Sequence, residues 1–250
     1  MSLYRIPAIF SDFNQLTAAE STRHGGVSPA PFSSLNLGIN TSDEPGNVTE
    51  NRRRFFRALG LEESESHFAS SHQVHGTAIM YATKGGRFDG YDALITDIPD
   101  LFVGVTVADC VPILIYDKVN QAVAAIHAGW RGTAGEIVTK TLAAMQQQFG
   151  TAADQCYAYI GTCIDENSFE VGPEVAEQFA PAYKQKDSGT LKDCIDLKAA
   201  NRQQLVDFGI PLAQIGVSPF STVLNNDDYF SYRAEQGQTG RMLAVIGIHP

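Results

Sequence analysis

The sequence has little cysteine, a shortage of positive charge and no long hydrophobic run, and each lack closes off a class of function. Its four cysteines, Cys110, Cys156, Cys163 and Cys194, are scattered with no CxxC pair. A disulfide framework or a structural zinc knuckle needs closer, paired spacing, so reduced thiols in a cytoplasmic setting are expected. Lysine and arginine total 18 against 28 acidic residues, for a formal charge of -10. That balance argues against a broad phosphate-binding face, and so against nucleic acid as a partner. The one basic cluster, Arg52-Arg53-Arg54 with Arg57, sits beside Phe55, Phe56 and Leu59 in a helix-like segment. A solvated helix face is its first reading and anion binding its second. No stretch approaches the roughly 18 continuous apolar residues that span a bilayer, so no membrane partner is expected. Met1 to Phe13 also lacks the apolar core behind a basic start that marks a secretory leader.

What is present is an ordinary globular composition, 44% hydrophobic and 18% charged over 250 residues, enough to bury a substantial core. No repeat, low-complexity tract or long linker divides the chain, and one domain over residues 1–250 is expected. Residues 22–34 are too dense in glycine and proline for a helix and read as loop. Asn47 is a reasonable cap for a helix through Leu59, stopped by Gly60. Short Val-, Ile- and aromatic-rich runs predict strands at Ala78–Tyr81, Phe102–Val107, Pro112–Tyr116, Ala122–Ile126, Tyr157–Ile160 and Leu243–Ile248. Helical periodicity covers Ile137 to Gly150, about Pro173 to Phe179, and Leu197 to Phe208 before Gly209. Strands in consecutive blocks, with helices between the later ones, predict mixed α/β layers rather than a regular βαβ repeat.

Three segments carry the chemistry: Gln73-Val74-His75-Gly76, Ala108-Asp109-Cys110 and His127-Ala128-Gly129-Trp130-Arg131-Gly132. Two imidazoles and a thiolate make a three-ligand set, which suits a divalent metal keeping one position open for chemistry. Taken singly, each has a bland reading: a lone Cys is usually a small buried hydrophobe, and a His at a strand end often only makes a hydrogen bond. The conjunction favours ligands, because His24, His67 and His249 lack comparable surroundings. His72 forms HxxH with His75, but on a strand pattern the two point to different sides. Asp109, beside the thiol, is expected either to orient a ligand imidazole or to act as general acid or base, an exposed turn carboxylate being the plain alternative. Arg131 opens a helix after a Gly-Trp step and is a candidate phosphate seat, with a surface ion pair as its alternative. Arg233 and Arg241 lie beside glycine-bearing turns, where arginines bind oxyanions or simply cap loops.

These motifs together resemble the YfiH family, also called the laccase-domain or polyphenol oxidase family. The match runs almost end to end: Thr22-Arg23-His24-Gly25-Gly26-Val27-Ser28, Ser34-Leu35-Asn36-Leu37-Gly38, the three segments above, Phe169-Glu170-Val171-Gly172, and Ser231-Tyr232-Arg233 with Thr239-Gly240-Arg241. The resemblance implies an α+β fold, a single-domain layered α/β sandwich with mixed β-sheets, and metal ligands at His75, Cys110 and His127. It implies a zinc-dependent purine nucleoside phosphorylase acting on adenosine, inosine and methylthioadenosine, with adenosine deaminase as a side activity. Copper and polyphenol oxidase activity belong to the family's older description, and peptidoglycan maintenance has been attached to some members. Cys110, Asp109 and Arg131 are then the expected catalytic residues. Arg23, Asn36, Gln73, Ser231, Arg233 and Arg241 are expected to face substrate. The implied partners are a nucleoside and phosphate, in a monomer or weak homo-oligomer. One departure stands out: Gly161-Thr162-Cys163-Ile164-Asp165 replaces the family's usual Gly-Pro-x-Ile-Gly, so one pocket wall differs from the pattern.

The sequence also weighs the chemistries against one another. A multicopper oxidase needs many histidines, mostly in HxH pairs, and this chain has six histidines and no HxH. A lone blue-copper centre would take His2Cys with a weak axial Met, and none of Met80, Met145 or Met242 has the short spacing expected there. A cysteine hydrolase with Cys110 as nucleophile and His75 or His127 as base, and a catalytically inert binding module, remain as alternatives to the metal-dependent nucleoside enzyme.

Overall fold

The structure is a computed structural model that describes residues 2–61, 67–187 and 189–249. In chain order its strands are β1 (Tyr4–Arg5), β2 (Leu16–Ser21), β3 (Phe68–His72), β4 (Ile79–Tyr81), β5 (Gly86–Asp89), β6 (Ala93–Thr96), β7 (Phe102–Val107), β8 (Val111–Asp117), β9 (Ala122–Ala128), β10 (Cys156–Ile160), β11 (Glu170–Val171), β12 (Lys184–Lys186), β13 (Asp193–Ile195), β14 (Ile215–Val217) and β15 (Met242–Ile248). The α-helices are α1 (Pro45–Ala58), α2 (Trp130–Ala134), α3 (Ile137–Phe149), α4 (Pro173–Ala176) and α5 (Leu197–Phe208). Two six-stranded mixed sheets form, in the orders β1-β2-β15-β7-β3-β5 and β14-β10-β8-β9-β6-β4, with a small third sheet of β11-β13-β12. None of the described helices is long and apolar enough to cross a membrane.

Side-chain alternation explains why the sheets stack. On β8, Leu114 and Tyr116 join Val103, Val105, Ala244 and Ile246 of the first sheet in a core between the two sheets. Val111, Ile113 and Ile115 point the other way, into a core shared with Ile137, Leu142 and Met145 of α3 and Leu197 and Leu205 of α5. Strands covered on both faces read as continuous apolar runs, which is why every residue of β8 and of β9 is buried. On the outer face of the first sheet, Phe68, Leu243 and Val245 pack against Phe55 and Phe56 of α1 and against Leu35 and Leu37. The layers therefore run helix, sheet, sheet, helices, the layered α+β architecture expected from the sequence.

Several boundaries differ from expectation for identifiable reasons. Helix α1 starts at Pro45, before Asn47, because proline at the first helical position is already set at the helical φ. Its basic cluster divides. Arg53 and Arg54 pair with Glu50 at 2.8 and 2.7 Å on the outer side, whereas Arg52 is only 7% exposed and lies over the rings of Phe56 and Phe68. Helix α4 stops at Ala176. Bonds from Gln178 to Val175 and from Phe179 to Ala176 tighten the remaining turn before Pro181. The Ala- and Ser-rich strands β2 and β3 carry little β-branched character and were not anticipated.

The inter-sheet core is the load common to both sheets, and Leu114 is fully buried in it. Leu114→Ala should cost about 2–5 kcal/mol in urea unfolding followed by circular dichroism; a loss below about 1 kcal/mol would mean that the sheets are not closely packed there.

Candidate functional site

The chemistry collects at one end of the two stacked sheets. Strands β8 and β9 are antiparallel, with Val111 opposite Ala128 and Pro112 opposite His127. This pairing carries β9 beyond Ile126, so His127 lies within the strand, 2% exposed, rather than just past its end. Cys110 immediately precedes β8 and so lies beside the end of β9. It closes the turn from β7, in which Asp109 holds the left-handed conformation at φ 83°. His75 lies in the loop after β3, also left-handed at φ 60°.

One carboxylate ties the two imidazoles together. Asp92, fully buried just before β6, accepts the backbone N–H groups of Val74, His75 and Gly76 at 3.2, 2.9 and 2.7 Å. Its Oδ1 also lies 2.8 Å from His127 Nδ1. With the carboxylate ionised, Nδ1–H donates and Nε2 is left for a ligand, the arrangement that metal-bound histidines require. The sequence reading offered this orienting role to Asp109 as one of its alternatives. In the structure Asp92 fills it, while the Asp109 carboxylate accepts from Thr222, Ser231 and the Arg233 N–H. The overlooked signal was an acidic residue set directly against the apolar run Ala93-Leu94-Ile95.

The ligand atoms of His75, Cys110 and His127 lie within 4.8 Å of one another. Ligand atoms of two imidazoles and a thiolate around a tetrahedral ion stand about 3.3–3.6 Å apart, so the three are gathered close to ligating separation. Gly129 lies close against the trio: a Cβ there would stand 3.0 Å from His75 Cδ2 and 3.2 Å from Cys110 Sγ, so any side chain would push on both. Among the described residues this is the one grouping of three such ligands. Burial alone would push the Cys110 thiol up, but the charge of His127 and hydrogen bonds from both imidazoles outweigh it and bring the thiol down to about 6. Burial likewise opposes charging His127, yet the Cys110 thiolate and the Asp92 hydrogen bond raise it to about 9. Near neutral pH both shifts favour a thiolate at Cys110 and an imidazolium at His127.

A cavity of about 480 Å³ opens onto the trio. Of the expected substrate residues, Gln73, Arg233 and Arg241 line it. Gln73 is locked in place, donating to the Thr106 carbonyl and accepting from the Thr106 N–H. Arg233 donates to the carbonyls of Ser168 and Glu170 and lies over the Phe169 ring. Arg241 donates through Nη1 to the carbonyls of Thr239 and Gly240 and faces the Tyr232 ring. Phe169 and Tyr232, each from a matched motif, also line it, as do Arg52 and Arg87, which lie in none.

Other expected site residues do not line the cavity. Arg23 binds the carbonyls of Ser33 and Asn226 and the Glu235 carboxylate, joining loops. Asn36 is buried and holds Gly38 and Arg241 by their backbone N–H groups. Ser231 donates to Asp109. Arg131 is exposed, with its guanidinium over Trp130, on a helix of five residues, so the expected phosphate seat is not formed. Asp109 does line the cavity, but it accepts from Thr222 Oγ1 at 2.5 Å, Ser231 Oγ at 2.8 Å and Arg233 N at 2.6 Å. It anchors the loop bearing Tyr232 and Arg233. The segment that departs from the family pattern reaches the cavity through Ile164, whose N–H binds the Asp109 carbonyl.

The thiolate–imidazolium pair makes metal affinity depend on pH with a definite sign. Between about 6 and about 9, Cys110 is already deprotonated and His127 must lose its raised proton to coordinate. Apparent zinc affinity should therefore climb about tenfold per pH unit across that window and level off above it. Competition titration with a chromogenic chelator reads this directly; a flat profile would mean that His127 is neutral before the metal arrives.

The chain resembles known proteins over nearly its whole length. Residues 17–249 match the family model described as multi-copper polyphenol oxidoreductase laccase. A purine nucleoside phosphorylase of Bacteroides thetaiotaomicron is 36% identical, with 96% of this chain and 94% of that protein aligned. One from Deinococcus radiodurans is 38% identical over 92% of this chain and 88% of its own. The crystal structure of YlmD from Geobacillus stearothermophilus superposes with a TM-score of 0.91 at 31% identity, covering all of both chains. That of the hypothetical protein YfiH from Bacillus licheniformis gives 0.90 at 30% identity over 99% of this chain and all of that one. The chain belongs to this laccase-like family, alongside YfiH and YlmD.

Proposed function

We propose that the chain works as a single-domain, metal-dependent purine nucleoside phosphorylase, converting adenosine, inosine or methylthioadenosine and phosphate into free base and the sugar 1-phosphate. One observation carries the reading: a convergent His-Cys-His set opens onto a cavity walled by arginines and aromatic rings. The names of the relatives support it. His75, Cys110 and His127 would hold the ion, and the donor set, two imidazoles and a thiolate, fits zinc. A bound zinc would supply a fixed positive charge for an oxyanion.

The rest falls to this chain's own side chains. The reaction forms a bond from a phosphate oxygen to C1′ as the C1′–N9 bond breaks, and the bonding pair leaves with the base, which takes a proton from solvent. Arg241, near enough to Cys110 for their charges to interact, holds the phosphate. Phe169 and Tyr232 offer ring faces to the purine. Asp109 does not act as the acid, because its oxygens are engaged by three donors; it fixes the loop that carries Tyr232 and Arg233. Deamination of adenosine would use the same pocket, with water displacing the C6 amino group as ammonia.

A second reading draws on the same trio. Cys110, His127 and Asp92 stand in the order nucleophile, base and orienting carboxylate, so the metal-free protein has the parts of a thiol hydrolase. A copper polyphenol oxidase finds less support, since six histidines and a single ligand cluster among the described residues do not furnish a trinuclear site.

Phosphorolysis of inosine and adenosine should be measured with and without phosphate, before and after chelation. Activity should require phosphate, vanish with the metal and return with zinc, and Cys110→Ala should lose both metal and turnover. Full turnover in metal-stripped protein would remove the ion from the reaction, and chelator-resistant ester cleavage blocked by alkylating Cys110 would favour the thiol hydrolase. Asp92→Asn should keep the fold but weaken zinc binding about 10–100-fold; unchanged affinity would show that His127 needs no partner.

A further inference from the structure

A second cavity, of about 540 Å³, adjoins the first. The two share Ile39, Arg52, Ser70 and Arg87, whereas His75, Cys110 and His127 line only the first. The strand register explains the separation. Arg87 on β5 is paired with Ser70 at the middle of β3, and His75 lies beyond that strand's far end. The junction between the cavities thus carries two guanidinium groups at a distance from the metal-ligand cluster.

Both arginines are held in place. Arg52 is 7% exposed, donates to the Leu37 carbonyl at 3.4 Å and lies over the Phe56 and Phe68 rings. Arg87 is exposed, and Nη2 donates to Asn40 Oδ1 at 2.6 Å, a neutral acceptor that leaves its charge uncancelled. The carboxylate in the wall of the second cavity, Asp43, is turned into its own loop, accepting from Ser28 Oγ, Asn36 Nδ2 and Glu44 N. A chain of formal charge -10 repels anions as a whole, so the uncancelled charge of Arg87 at the cavity junction is a local exception that draws one in.

A nucleoside needs no more than the first cavity, whose size already lies in the range of small-ligand sites. The co-substrate phosphate must meet C1′ beside the metal-ligand cluster and Arg241. The Arg52–Arg87 junction serves a different anion. We propose that it is the subsite for the 5′-phosphate of a purine nucleoside 5′-phosphate, with the glycosidic bond at the His75–Cys110–His127 end; this rests on the phosphorylase reading. The ribose 5′ carbon lies across the sugar from the scissile bond, so a 5′ substituent extends away from the cluster and toward the junction. Turnover then gives free base and ribose 1,5-bisphosphate: the C1′–N9 bond breaks, a bond from phosphate oxygen to C1′ forms, and the 5′ ester is untouched.

The test is isothermal titration of the zinc-loaded protein with adenosine, adenosine 5′-monophosphate and inorganic phosphate separately, for the natural chain, Arg87→Gln and Arg87→Lys. Arg87 is exposed on the edge strand β5, so its replacement leaves the core intact. The monophosphate should bind about tenfold more tightly than adenosine, the preference disappearing in Arg87→Gln and partly returning in Arg87→Lys. Equal affinities in the natural chain, or a preference that survives Arg87→Gln, would overturn the subsite while leaving the nucleoside reading intact. Weaker binding of inorganic phosphate in Arg87→Gln, with the monophosphate preference unchanged, would assign the junction to the co-substrate and overturn it too. Failure of adenosine and the monophosphate alike to bind would sink the phosphorylase reading itself.

Discussion

The buried carboxylate of Asp92 is the contact on which the site depends, because one side chain binds both the loop that carries His75 and the ring of His127. Three consecutive N–H groups of the loop at Val74–Gly76 close around its oxygens, and the same group holds His127 Nδ1. A buried carboxylate is costly unless its lone pairs are filled, and here donors fill them. Desolvation pulls toward the neutral acid, but the His127, Gly76 and Val74 donors and the charge of His127 outweigh it, and Asp92 is held below the usual carboxylate range. Its ionisation in turn selects the His127 tautomer that leaves Nε2 free for coordination. Position, protonation state and ligand geometry thus rest on one side chain.

Asp109 plays the corresponding part for the opposite wall. Its position in a left-handed turn aims the carboxylate at Thr222, Ser231 and the Arg233 N–H, so the loop between β14 and β15 is hung from the same turn that presents Cys110. Arg23 and Glu235 tie the N-terminal loop to that unit at 2.9 Å, and Asn36 fastens Gly38 to the backbone of Arg241. These residues shape the cavity from behind. The motifs therefore record the support of the site as much as its contents, which is why Arg23, Asn36 and Ser231 stand outside the lining.

Charge is distributed against the bulk composition. The molecule is strongly acidic overall, yet Arg52, Arg87, Arg233 and Arg241 all face one cavity. Each is fixed by carbonyls, an amide or aromatic faces. Arg87, Arg233 and Arg241 are oriented by neutral partners, which do not cancel a guanidinium's charge, so the cavity keeps its attraction for anions.

The strands β7, β8, β9 and β15 and the helices α3 and α5 were legible in the sequence because each is a long run of one periodicity, buried on a predictable face. The His-Cys-His set could also be named in advance, since each member sits beside a glycine turn or ends an apolar run. The short strands β2, β3 and β5 were not legible, being built from small and polar residues whose strand state comes from their neighbours in the sheet. Asp92, which no motif singled out, holds the His127 ring in place of Asp109, because adjacency along the chain says little about which carboxylate faces an imidazole. Arg131 and Arg87 mark the same limit. The first shares a motif with the ligand His127 yet is exposed to solvent, while the second lies in no recognised motif yet reaches the cavity. The sequence alone determined the strongly periodic strands and helices, which residue types are available and that the bulk charge disfavours anions, because these follow from local pattern and composition. Only the tertiary structure decided which carboxylate orients which ring and which arginines face inward, because those are properties of strand register and of distances between segments far apart along the chain.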